Sequence, residues 1–163
     1  MRLKTDMIVG SSRKLGRRAG LLLTAAGVGV ALGVLSARPL EAAEPFKLVA
    51  HADTVATSLT RREVAGIFSG KISKWPDGSR VVPVDQSATS TVRAIFSREV
   101  LGKSVDEVLR FWQEVVFSGR GLPPKVRGSD QGVLEFVTGT PGTLAYVSAD
   151  TPSDKVRVLR LDP

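Results

Sequence analysis

The residues best placed to do chemistry lie in "DQSATSTVRAIFSREVL", Asp85 to Leu101, where the hydroxyls of Ser87, Thr89, Ser90 and Thr91 run directly into the apolar spacing of a helix. A helix start leaves N–H groups without partners and carries partial positive charge, so it attracts anions. The hydroxyls supply further donors, and Arg93, one turn in, a full positive charge. The ordinary alternative is that Ser90 or Thr89 caps the helix while the other hydroxyls face water. "SDQGVLEFV", from Ser129 to Val137, offers a second start of the same kind. There Ser129 or Asp130 can cap, and Gln131 and Gly132 would let a ligand approach the backbone. Asp130 repels a dianion unless the ligand is protonated or the carboxylate points elsewhere, and a capped core helix carrying Val133, Leu134, Phe136 and Val137 is the simpler reading.

Other chemistries find less support. His51 and Asp53 stand two apart, but one histidine with no cysteine makes a poor metal site. In "GSDQG" the serine is second, whereas a nucleophile elbow needs it third. "LGKS" at 101 to 104 lacks the upstream glycine of a phosphate loop and follows a helix instead of a strand. No catalytic triad and no cofactor motif is found, so the chain reads as a non-enzyme. Trp75, Phe111 and Trp112 could stack a ligand, although such positions usually belong to a core.

These residues need elements to position them. "FKLVAH" at 46 to 51 reads as a buried strand. Thr60 with Glu63 three residues on is a capping box ahead of Val64, Ile67 and Phe68, closed by Gly70. The Pro-Asp-Gly turn at 76 to 78 leads to a strand at about 80 to 84. A helix from Ser90 to Leu101 follows, then another in "SVDEVLRFWQEVVF", where Ser104 and Glu107 repeat the capping-box spacing. A short strand at Lys125 to Arg127, the helix after Ser129, a strand in "TPGTLAYVS" and a last strand in "KVRVLRL" complete the chain. Alternating strands and helices predict an α/β layered domain with a mostly parallel sheet flanked by helices, and ligands bind such sheets at the carboxyl ends of their strands.

Residues 1 to 43 read as a signal peptide. Lys4, Arg13, Lys14, Arg17 and Arg18 precede an uncharged run of small and apolar residues, and Pro39 ends it ahead of Glu41-Ala42-Ala43. A periplasmic or secreted domain at 44 to 163 is the expectation, and a retained membrane anchor the rival, the run being at the lower limit of spanning length. Seven of the 23 basic and two of the 16 acidic residues lie in that leader, leaving 16 against 14. The basic balance thus belongs to the leader and gives no argument for nucleic-acid binding. With no cysteine, neither disulfides nor thiolate metal sites are available, and the core must hold the domain.

Taken in order, "LTRREVAGIFSGKISKWPDG", "STVRAIF", "FWQEVVFSGRG" and "SDQGVLEFVTGTPGTLAYVS" resemble the phosphate-binding proteins of bacterial phosphate ABC importers. The resemblance implies one lobe of a periplasmic-binding-protein-like fold and binding of phosphate or a related oxyanion. It also implies, as partners, an ABC permease or a second copy completing the site. It aligns Ser90, Arg93 and Phe96 with the family's phosphate-binding turn. Thr91 and Val92 stand where the family has Gly-Thr, Gln86 where it has arginine, and Ala88 where it often has a carboxylate. A charge-assisted bond is roughly twice as strong as a neutral one, so these departures predict weak, half-site binding. An envelope interaction protein that kept the lobe and lost the ligand is the alternative.

Overall fold

The computed structural model describes residues 45–163; the leader expected at 1 to 43 lies outside them. Six strands form one sheet: β1 (Phe46–Ala50), β2 (Ser58–Thr60), β3 (Val82–Gln86), β4 (Lys125–Arg127), β5 (Thr143–Ser148) and β6 (Arg157–Asp162). Their order is β2-β6-β1-β5-β3-β4. β1 pairs antiparallel with both β5 and β6, while the β2–β6, β3–β5 and β3–β4 pairs are parallel. β1 therefore runs against the other five, and the sheet is otherwise parallel, as expected from the α/β alternation.

Side chains on a strand alternate between faces, and the core divides accordingly. Phe46, Leu48, Leu144 and Tyr146 belong to the cluster under α1 (Arg61–Phe68) and α2 (Thr91–Leu101), with Ile67, Phe68 and Phe96. Val49, Val84, Ala145 and Val147 belong to the opposite cluster, covered by Val133 and Val137 of α4 (Asp130–Gly139). On the first face the rings of Phe96 and Tyr146 stack at 3.8 Å, and Phe68 meets Phe96 edge-on at 4.8 Å. α3 (Val105–Phe117) lies outside α2 and buries only Val108 and Trp112 fully.

The helix starts follow the sequence. Thr60 and Ser104 form complete capping boxes with Glu63 and Glu107, and Ser90 and Ser129 cap α2 and α4 by accepting from the N–H groups of Arg93 and Gly132. β3 begins two residues later than expected. The preceding chain is held in a turn, in which Trp75 N–H donates to Ser79 O and Gly78 N–H to Trp75 O, and Val81 N–H donates back to Ser73 O. β2, three residues with only Leu59 buried, is too short to register as a pattern in the sequence.

Candidate functional site

β3 and β4 end side by side, and the two helix starts expected to attract anions follow them directly. Ser87 N–H donates to Arg127 O at 2.9 Å, which ties the turn before α2 to the turn before α4. Gln86 spans the gap. Its side-chain amide donates to Asp130 Oδ1 at 2.7 Å and to Tyr146 O at 3.0 Å, and its Oε1 accepts from Ser90 Oγ at 2.7 Å. One buried glutamine thus links the N-cap of α2 to the first residue of α4.

Above this bridge the hydroxyls of Ser87 and Thr89 lie 3.0 Å apart at the surface, and Thr91 is exposed at the first position of α2. Ser90 Oγ is already engaged on both sides, donating to Gln86 and accepting from Arg93 N–H at 3.2 Å. On α4, Ser129 Oγ accepts from Gly132 N–H at 3.2 Å, and the amide of Gln131 donates along the helix to Glu135 at 3.1 Å. The structure therefore gathers Ser87, Thr89, Ser90 and Thr91 on one turn and sets Ser129 and Gln131 on the neighbouring start.

Arg93 turns the other way. It is 3 % exposed, and its guanidinium reaches Asp85 Oδ2 at 2.9 Å and donates to Gln86 O at 2.6 Å, beneath the turn. Its Nε has no hydrogen-bond partner. Tyr146 donates its hydroxyl to Asp85 Oδ1, which also accepts from Gln86 N–H at 2.8 Å. Burial pushes the Asp85 carboxyl above its ordinary value, against the Tyr146 hydroxyl, the Arg93 charge and the Gln86 N–H. Burial and the neighbouring carboxylate drive the Tyr146 phenol far upward, so it stays a donor.

Asp130 points away from the open side of its helix. Its carboxylate accepts from Gln86, from Ser148 N–H at 3.0 Å and from Thr151 Oγ1 at 2.6 Å. Burial raises its pKa, but the bonds from Thr151 and Ser148 outweigh that and hold it below its ordinary value. Sequence reasoning had Asp130 as a possible cap or a source of repulsion, and missed Asp85, Gln86 and Tyr146 as a connected set. The available signal was Arg93 sharing the buried face of Phe96 and Val100, three and seven residues on, which forces a charge inward and demands a carboxylate. His51 Nδ1 accepts from Asp53 N–H at 3.2 Å, and among the described residues no three His, Cys, Asp or Glu side chains cluster to hold a metal.

Together these features define an α/β layered domain: a sheet covered on both faces, with two helix starts meeting at the carboxyl ends of adjacent strands. A family profile for PBP superfamily domains matches residues 22–159, and the chain belongs to that family. Among solved structures, a protein from Clostridium perfringens, assigned as a phosphate ABC transporter substrate-binding protein and solved with bound phosphate, superposes with a TM-score of 0.59 at 19% identity. An ABC-type phosphate transport receptor from Vibrio cholerae gives 0.57 at 18%, and PstS from Borrelia burgdorferi 0.57 at 16%. Each match covers 72% of this chain but only 44%, 46% and 47% of those proteins, respectively. No curated protein sequence matches the chain. At these identities the superpositions establish the fold, one lobe of the periplasmic-binding-protein type.

Proposed function

We propose that this chain is an exported, non-catalytic binding protein for phosphate or a related oxyanion, held at the surface formed by the starts of α2 and α4. The observation that carries this reading is the bridge from Ser90 through Gln86 to Asp130, which holds two helix N-termini beside one another. Their first-turn N–H groups, unpaired within a helix by geometry, face the same edge of the sheet. Ser87, Thr89 and Thr91 donate hydroxyls to the anion, and Ser129 and Gln131 approach it from α4. Ser90 caps α2, and Arg93 acts from beneath, fixing the turn through Gln86 O. Phosphate ligation in the structural neighbours, and their role in transport, support an oxyanion as the ligand and an ABC permease or a second copy as the partner. Among the described residues no helix is long and apolar enough to cross a membrane.

Calorimetric titration with phosphate and with sulfate tests the reading. With Arg93 committed to Asp85 and Gln86 in place of an arginine, the expected dissociation constant is roughly 0.1 to 10 mM. Thr91→Val and Ser87→Ala should each weaken binding by about a factor of 3 to 10, the value of a neutral hydrogen bond. No heat with either anion, at protein concentrations where two copies can meet, overturns it.

One feature supports the interaction-protein alternative. Phe117 is 91 % exposed, and Leu109, Val116 and Val126 join it around a cavity of about 390 Å³. Four of the seven large exposed apolar side chains among the described residues thus line one cavity, the pattern of a contact surface.

A further inference from the structure

We propose that the cleft between α1, the end of α2 and α3 is a second binding site, for a small amphipathic carboxylate with a medium-length alkyl body. The cleft encloses about 400 Å³, within the range of small-molecule sites. Its floor is apolar, built from Phe68, Ile72, Val108 and Trp112. Two glycines let Ile72 and Trp112 of that floor pack close against α1 and the turn after it. At Gly66 a Cβ would meet Ile72 Cδ1 at 2.7 Å, so the absent side chain is what lets Ile72 settle against α1. At Gly70, φ is +75° and a Cβ would lie 3.1 Å from the Trp112 ring, so the ring edge comes down onto bare backbone.

The rim is cationic. Arg62, Lys71 and Lys103 line the cleft, and no carboxylate does. The adjacent acids are occupied as helix caps: Glu63 takes the N–H and hydroxyl of Thr60, each at 2.8 Å, and Glu107 those of Ser104 at 2.7 and 2.8 Å. Those bonds hold both carboxyls below their ordinary values, with Lys103 adding to the effect on Glu107. Three positive charges around a low-dielectric floor concentrate anions there.

Charge and shape together select the ligand. Inorganic phosphate would satisfy the rim but leave the floor wet, and a neutral apolar molecule would fill the floor but leave the cations unanswered. An alkyl carboxylate does both: its chain covers Phe68, Ile72 and Trp112, and its head group lies among Lys71, Lys103 and Arg62. The site shares no residue with the turn at Ser87 to Arg93, so it stands or falls independently of the oxyanion reading.

The test titrates protein recovered from expression of the full chain with decanoate, decanol and inorganic phosphate, following the Trp112 indole N–H resonance and the heat of binding. Decanoate should shift that resonance and bind at least about tenfold more tightly than decanol, the margin of one charge-assisted bond. Phosphate should leave it unmoved. The double variant Lys71→Gln/Lys103→Gln changes only exposed side chains, and should lose about tenfold in decanoate affinity while its phosphate titration is unchanged. Decanol binding as well as decanoate, a double variant that binds decanoate normally, or a Trp112 resonance unmoved up to the solubility limit of decanoate would each overturn the proposal.

Discussion

Asp85 and Arg93 face each other at 2.9 Å with both side chains almost fully enclosed, one at the end of a strand and the other a turn into the helix that follows it. A buried ion pair is costly to break from one side, because the surviving charge is left without a partner. Arg93→Ala and Asp85→Asn should each lower unfolding free energy by about 3 to 5 kcal/mol, measured by denaturant titration. The double change Asp85→Asn/Arg93→Ala should cost clearly less than the sum of the two single changes. Strict additivity would show that the pair does not act as a unit.

Trp112 is 7 % exposed and packs its ring over Gly70. Its truncation to alanine should cost about 3 to 5 kcal/mol. A loss below roughly 1 kcal/mol in thermal or chemical unfolding would place the indole in solvent.

Ser90 links helix capping to the Gln86 bridge, so Ser90→Ala should do two things at once. Stability should fall by about 0.5 to 2 kcal/mol, the value of an N-cap, and phosphate affinity should fall with it as Gln86 loses the hydroxyl that orients it. Ser104→Ala, at a cap remote from the turn, should show the stability loss alone. Equal phosphate titrations for the two variants would separate Ser90 from the site.

Acid should weaken the domain through Asp130. Its carboxyl is held below the ordinary value of 3.8, so the native state favours the ionised form. That contribution is present in full above pH values near 4 and is lost as pH falls through the lower native pKa. Asp130→Asn should flatten the slope of stability against pH below about 4; an unchanged slope would assign the acid sensitivity to other groups. Asp85, shifted upward by burial, has the opposite sign, its contribution fading as pH rises through its native pKa.

Gly142 has a φ of +78°, and a Cβ there would collide with the carbonyl oxygen of Arg80. The Gly142 carbonyl also accepts from the Trp75 indole at 3.0 Å and from Val82 N–H at 2.9 Å. Gly142→Ala should therefore destabilise more than Gly102→Ala, where φ is +63° but nothing lies within 4 Å. Thermal melts of the two variants decide it; equal shifts would mean that backbone strain alone sets the cost.

Much of this architecture is legible in local spacing. Thr60 with Glu63 and Ser104 with Glu107 mark helix starts because a capping box is a contact between residues three apart. Strand direction is different. Nothing within "FKLVA" reveals that it runs against its neighbours, because that depends on partners about a hundred residues away. The turn from Ser87 to Thr91 was readable as an anion site or a cap for the same local reason. That Arg93 is spent on Asp85, and that Gln86 reaches Asp130, depends on the meeting of β3, β5 and α4. Hydroxyl counts carry no information about such a meeting.

The antiparallel strand in the middle of the sheet has a consequence for how the molecule is made. β1 is the first strand of the described chain, yet it lies between β5 and β6, with Phe46 opposite Ser148 and Leu48 opposite Leu159. β1 finds its partners, β5 and β6, only when residues about a hundred positions further on are available. Pairings of such sequence separation are slow because the chain between them must close before any bond is gained. Until then Leu48, Val49 and Ala50 have no sheet to enter, and this stretch of the nascent chain stays open to a chaperone or a protease.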